Sequence, residues 1–286
     1  MHNRTNLTLC GVALASLVAA SGCSGGKDTA DTAAGTDPGT TPATTAPPPV
    51  TNTEYTGEQY VIEEFGGYAD EADGIDLDGD GDNDNATPSA LVLVDAFVKY
   101  DMTVDGLNGT IAAAIAKNQL IILMETTYSD ADLTLDILTG TVAGSGAAAP
   151  DQSSYDDAGD PLSQLQGYFT SDTEFYGTAD RIQVGVTFFP KDPPLPLPME
   201  MVTVMGTADE EGISGALYGA IPADDLMDLM IIPLLEDSIV DPSERKTMIS
   251  LVEDVLDYET VTDIDLGDGR RGISCAFYFD GTDTTW

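Results

Sequence analysis

Five aspartates fall within nine residues in the stretch Asp73-Gly74-Ile75-Asp76-Leu77-Asp78-Gly79-Asp80-Gly81-Asp82-Asn83-Asp84-Asn85. Asp76, Asp78 and Asp80 recur at every second position. Gly81 follows at the sixth, where a chain wrapping an ion must turn sharply. In a curled loop, carboxylates at alternate positions point inward together, and the charge they concentrate is relieved by a hard cation. Calcium accepts about six to eight oxygens in loose geometry, whereas magnesium demands a stricter octahedron, so the spacing favours Ca2+. A weaker candidate for the same ion is Asp263-Ile264-Asp265-Leu266-Gly267-Asp268-Gly269. There Asp263, Asp265 and Asp268 lack the third evenly spaced acid, and the segment reads as a loop before a strand.

The first loop resembles the D-x-D-x-D-G loops of EF-hands and of thrombospondin type 3 and dockerin repeats. It departs from the EF-hand at the twelfth position, Thr87, where a bidentate glutamate is usual, and at the eighth, Asn83, where an apolar residue is usual. Asp84, at the ninth, matches the thrombospondin type 3 pattern better. The resemblance implies side-chain ligation by Asp76, Asp78, Asp80 and Asp84, with Asp82 offering its backbone carbonyl. Without the glutamate it implies weak binding, roughly the 10⁻⁴–10⁻³ M class of extracellular modules.

The 286 residues carry 50 Asp plus Glu against 10 Lys plus Arg, a formal net charge of −40. Such a polyanion will not grip nucleic-acid phosphates or dock on an anionic bilayer through a basic patch. The single histidine is His2, within the leader described below. The rest of the chain can build no Ser-His-Asp or Cys-His arrangement and no histidine-containing zinc site. Gly212-Ile213-Ser214-Gly215 lacks the second glycine of a nucleophile elbow. Ser243-Glu244-Arg245-Lys246 matches S-x-x-K without its companion motifs and reads as a helix start. Carboxylate-based glycoside hydrolysis needs only two acids, and sequence cannot pick that pair from fifty.

Arg4 precedes an apolar run from Leu7 to Ala20 that reads as a secretory signal, too short for a membrane span. Ala20-Ser21-Gly22 then meets Cys23. This resembles the lipobox of bacterial lipoproteins, which implies cleavage before Cys23 and lipidation of that residue. Ser24 resembles the outer-membrane sorting class. The expectation is a protein of the cell envelope, at the outer membrane or cell surface, held to the membrane by its N-terminal lipid. With Cys10 removed and Cys23 lipidated, Cys275 stands alone and forms no intramolecular disulfide. It lies on the apolar side of Ile273-Ser274-Cys275-Ala276-Phe277 and reads as a buried small hydrophobe. Residues 23–53 are rich in Thr, Ala, Gly and Pro, offer no apolar periodicity, and read as a disordered tether.

Beyond the acidic loop, Thr87-Pro88 opens a helix through Ala90 to Tyr100. A second helix carries Ile111, Ala112, Ile115 and Ala116. Leu120 to Met124 reads as a strand, as do Leu133, Leu135 and Ile137, which alternate with polar residues. Ile182 to Phe188 alternates too. Glu200–Met205 and Ile213–Ile221 read as strands, the second with Gly215 and Gly219 marking a bulge or close backbone approach. Pro222 opens a helix carrying Leu226, Leu229, Met230 and Leu234, which Pro233 should kink or end. Its methionines read as core filler. Asp241-Pro242-Ser243-Glu244 is a capping-box start for a helix burying Met248, Leu251, Val252 and Val255. Ile273 to Phe279 is the last strand.

The expected fold is α+β: an antiparallel β-sheet core with two helical pairs packed on it, preceded by the linker. The folded domain spans 54–286, with a helix-helix-strand pattern around 88–127 and 222–280 that suggests two diverged halves, 54–145 and 160–286. Tyr155, Tyr168, Phe169, Phe175 and Tyr176 are candidates for a binding surface or for core. The whole chain is similar to Asp/Gly-rich bacterial lipoproteins of no assigned activity. The expected function is that of a secreted, lipid-anchored Ca2+-binding protein with a structural or surface-binding role toward a protein or glycan. A carboxylate-based hydrolase is the alternative.

Overall fold

The computed structural model describes residues 46–52, 55–95, 98, 101–144, 146–187, 194–256 and 261–286. The leader, Cys10, Cys23 and the tether as far as residue 45 lie outside the described residues. Among the described residues, ten strands join one antiparallel sheet: β1 (Gln59–Gly67), β2 (Ile122–Ser129), β3 (Asp132–Val142), β4 (Ala148–Pro150), β5 (Gln164–Phe169), β6 (Glu174–Val186), β7 (Leu195–Ala208), β8 (Gly212–Pro222), β9 (Ile264–Gly267) and β10 (Arg270–Thr284). Eight of them close a barrel in the order β1-β2-β3-β5-β6-β7-β8-β10, because β10 pairs with β8 on one side and β1 on the other. β4 and β9 are short additions to β3 and β10.

The closed barrel overturns the expected α+β sheet with two helical pairs. Alternating hydrophobicity reports that a strand buries one face, and an open sheet and a barrel both do that. Closure rests on β1, where Tyr60 and Ile62 alternate before an irregularity between Ile62 and Glu64 resets the register. Inward positions on β10 are Ile273, Cys275, Phe277 and Phe279, all at most 2% exposed. They face Ile221, Gly219, Leu217 and Gly215 of β8. The glycines allow the neighbouring backbone to come close: a Cβ on Gly215 would meet Met205 O at 2.3 Å and Phe279 Cζ at 2.9 Å, and one on Gly219 would meet Glu200 O at 3.0 Å. The close approach expected at these two positions is therefore present.

On β6 and β7 the buried parity switches. Phe175 and then Ile182 and Val184 point inward on β6, as do Met199 and then Val202 on β7. Met201, at φ +54°, sits at the switch. There Glu200 faces outward and takes a two-pronged bond from Arg270, Nη1 to Oε1 at 2.8 Å and Nη2 to Oε2 at 3.0 Å. Pro196 and Pro198 sit inside β7 because this stretch pairs only with β6; pairing with β8 begins at Glu200.

The helices gather at one end of the barrel. They are α1 (Thr87–Asp95), α2 (Val104–Ile115), α3 (Ala223–Leu226), α4 (Ile232–Ser238) and α5 (Pro242–Leu256). Leu91, Leu107, Met230 and Leu256 meet Val186, Leu197, Ile221 and Ile273, which sit at the same end of their strands, around an apolar cavity of about 30 Å³. α3 runs through a π turn, Met227–Ile231, into α4. Pro233 does not end this helix, because the π turn ahead of it loosens the ladder where the proline ring meets the preceding turn. Met227 and Met230 are buried, as core filler should be. Asp241 caps α5, accepting from Ser243 N at 2.8 Å and Glu244 N at 3.2 Å.

The opposite end is closed by the chain that precedes β1. Val50 N donates to Phe169 O at 2.7 Å, and Asn52 N donates to the Tyr128 hydroxyl at 2.9 Å. Tyr55 Oη bonds Tyr60 Oη at 2.8 Å and also Thr126 Oγ1, and Tyr60 Oη reaches Asp209 O at 3.1 Å. Phe169 lies under Tyr55 and Tyr128, edge-on to both. The last residues of the expected tether are thus fastened to the barrel.

Candidate metal centre

The acidic loop joins the end of β1 to α1. Gly79 and Gly81 adopt positive φ, +84° and +98°, which lets the loop curl. Its ends are drawn together by a bridge between Ile75 and Asp84, with Asp84 N donating to Ile75 O at 2.9 Å. Gly74 makes the bridge possible, since a Cβ there would come within 2.2 Å of Asp84 O. The curl brings carboxylate oxygens of Asp76, Asp78 and Asp84 within 4.8 Å of one another, a group that could hold a metal ion. Two charges that far apart repel by about 1 kcal/mol in bulk water and about 3–4 kcal/mol at an effective dielectric near 20.

Loop amides partly answer this charge. Asp76 accepts from Gly79 N at 2.6 Å and Gly81 N at 3.1 Å, and Asp84 accepts from Leu77 N at 2.6 Å. Asp84 is 8% exposed. Burial pushes its carboxyl up to about 6, with the charges of Asp78 and Asp263 adding to the rise and the Leu77 amide opposing it. Asp80, expected as a side-chain ligand, is exposed and lies outside the close carboxylate group; it accepts from Asp82 N at 2.8 Å, and Asp82, expected to offer its backbone carbonyl, has an exposed side chain.

The second candidate loop divides. Asp265 and Asp268 are exposed, Asp265 accepting from Gly267 N and Asp268 sitting at φ +56° in the turn before β10. Asp263 belongs with the first loop. Burial raises its pKa, as does the charge of Asp78, while bonds from Ser274 hold it down. Ser274 N donates to Asp263 Oδ1 at 2.9 Å, and Ser274 Oγ bonds Oδ2. Ser274 Oγ in turn accepts from Ala86 N at 2.7 Å, and Thr87 Oγ1 donates to Ser274 O at 2.9 Å. The start of α1, β10 and the acidic loop therefore meet around one serine.

Sequence reasoning missed an acid pair. Gln59, Glu125, Asp136 and Gln164 are successive cross-strand partners on the outer face of β1, β2, β3 and β5. Gln59 Nε2 donates to Glu125 Oε1, and Gln164 Nε2 to Asp136 Oδ1, both at 2.9 Å. Burial raises the Asp136 pKa and Glu125 adds to it. Burial and both acids push up the Tyr155 hydroxyl nearby. The one signal available is the β2–β3 register, set by the two-residue turn Asp130-Ala131. Of the candidate aromatics, Phe169 and Phe175 fill the barrel, whereas Tyr168 and Tyr176 pair on its outer face with ring centres 5.6 Å apart. Cys275 is fully buried, with its thiol pushed up by burial and donating to Gly219 O at 3.2 Å.

No helix among the described residues is long and apolar enough to cross a membrane. The chain matches no protein-family model, no curated protein and no solved structure. Fold and site together define an acidic, eight-stranded β-barrel with a metal-capable loop at the helical junction.

Proposed function

We propose that this is a lipid-anchored protein of the cell envelope whose barrel domain is braced by Ca2+ and serves a structural or surface-binding role. The observation that carries the metal is the convergence of Asp76, Asp78 and Asp84 within 4.8 Å. The anchor is supported by the lipobox-like Ala20-Ser21-Gly22-Cys23. A bound calcium cancels repulsion among the three carboxylates and relieves Asp263 beside them. Through Ser274 it then fixes the start of α1 on β10. Binding to the folded state alone adds about 2.7 kcal/mol at a hundredfold excess over Kd. Melting the purified chain in EDTA and in millimolar calcium tests the metal. The expected result is a rise of several degrees with calcium that Asp78→Ala removes. Equal melting in the two buffers overturns it.

A second reading, a carboxylate-based hydrolase, is favoured by the Glu125–Asp136 pair with one raised pKa. Release of reducing sugar from a polysaccharide, lost in Asp136→Asn, selects this reading. Absence of release by the wild-type chain removes it.

A further inference from the structure

We propose that the outer face of β5, β6 and β7 is a docking strip for neutral polysaccharide, a reading that names a ligand class for the surface-binding role above. Two neighbouring outward rows cross these strands. One runs Gln166, Thr178, Thr203, and the other Tyr168, Tyr176, Met205. These six positions hold no charge in a chain with 50 acids and 10 bases. The borders of the strip are charged. Exposed Glu174 and Asp280 lie beyond one edge, and Asp180 with the Glu200–Arg270 pair beyond the other. Past Ala216 of β8 the second row reaches Tyr278 of β10, where Tyr68 stands edge-on to it with ring centres 5.5 Å apart.

The chemistry of the strip selects its occupant. The half-buried rings of Tyr168 and Tyr176 offer apolar faces with polar tips. Thr178, Thr203 and Gln166 supply donors and acceptors beside them. A cationic partner is drawn to the acidic borders instead, and an anionic polymer or bilayer is repelled by the net charge of −40. A hydrophobic protein partner needs an apolar patch broad in both directions, whereas the tyrosine row is one residue wide, flanked by Gln166, Thr178 and Thr203 on one side and by Glu174 and Thr207 on the other. A neutral, hydroxyl-rich polymer satisfies all three conditions.

Native gels cast with a neutral glucan or xylan, with polygalacturonate as the anionic control, test the strip on the full-length chain. The expected result is slowed migration in at least one neutral polysaccharide and none in polygalacturonate. Tyr168→Ala with Tyr176→Ala should weaken that retardation about tenfold. Thr178→Lys, which adds charge without deleting a ring, should do the same, so the test survives if the tyrosine variant melts early. Unretarded migration of the wild-type chain in every neutral gel overturns the proposal, as does equal retardation of wild-type and Thr178→Lys. Retention by anionic polymer or phosphatidylcholine vesicles alone also overturns it. The calcium-induced melting shift is read separately, so failure here leaves that result untouched.

Discussion

Asp84 faces opposing demands: it is buried beside other acids, yet it is one of three groups that converge as a cation would need. Folding raises its pKa from 3.8 to about 6, so the native state holds the proton more tightly than the unfolded chain. Without metal, the contribution of Asp84 to stability is therefore fully present below the ordinary carboxylate range and is lost as pH climbs through about 6. Asp263 and Asp136, both raised, act in the same direction. Calcium needs the carboxylates ionised, so its presence opposes this trend. Urea midpoints should be higher at pH 5 than at pH 7.5 in EDTA, and the gap should narrow or reverse in calcium. Asp84→Asn should flatten the EDTA profile and abolish the calcium response, because its amide oxygen can still accept from Leu77 N but no charge remains. A steeper EDTA profile in that variant contradicts the assignment. This residue was legible from its spacing with Asp76 and Asp78. Asp263 was legible only as a weaker candidate, because the strand pairing of β10, and not spacing, brings it to the loop.

Elements were legible where the period ran unbroken. Leu133, Leu135 and Ile137 in β3 and Ile273 to Phe279 in β10 alternate cleanly and lie in strands. β5 escaped notice because Gly167 occupies an inward position between Leu165 and Phe169, and a missing side chain breaks a hydrophobic pattern. β1 escaped for a different reason, the irregularity at Glu63-Glu64. The turn between β2 and β3 also lacked its usual signal. Asp130 and Ala131 both adopt positive φ, 56° and 77°, where Asp-Gly or Asn-Gly is the common pair. Ala131 is strained there, so Ala131→Gly should stabilise the domain by about 0.5–1 kcal/mol. Chemical denaturation at constant m-value checks this, and a loss of stability would mean the turn does not have this geometry.

At the scale of the whole molecule, closure removes the open edges of the eight main strands, while 50 acids against 10 bases push the fold apart. Screening should help: raising NaCl from about 0.01 to about 0.5 M shortens the Debye length severalfold and should raise the melting temperature of the metal-free chain. A millimolar calcium addition should exceed the effect of sodium at equal ionic strength, since only a divalent ion can bridge the loop. Matching shifts from the two salts would reduce calcium to a screening ion. The barrel was illegible as a whole because its seam joins β1 to β10, at opposite ends of the domain, and no local pattern records that pairing. The same seam decides how the molecule meets force. Residues 50–52 are fastened at the rim and lead into β1, which is gripped by β2 on one flank and β10 on the other. A tug arriving from the N-terminal side runs along that strand, across hydrogen bonds that lie perpendicular to it. The two ladders are then sheared together rather than unzipped one rung at a time, which is the orientation in which a strand yields last.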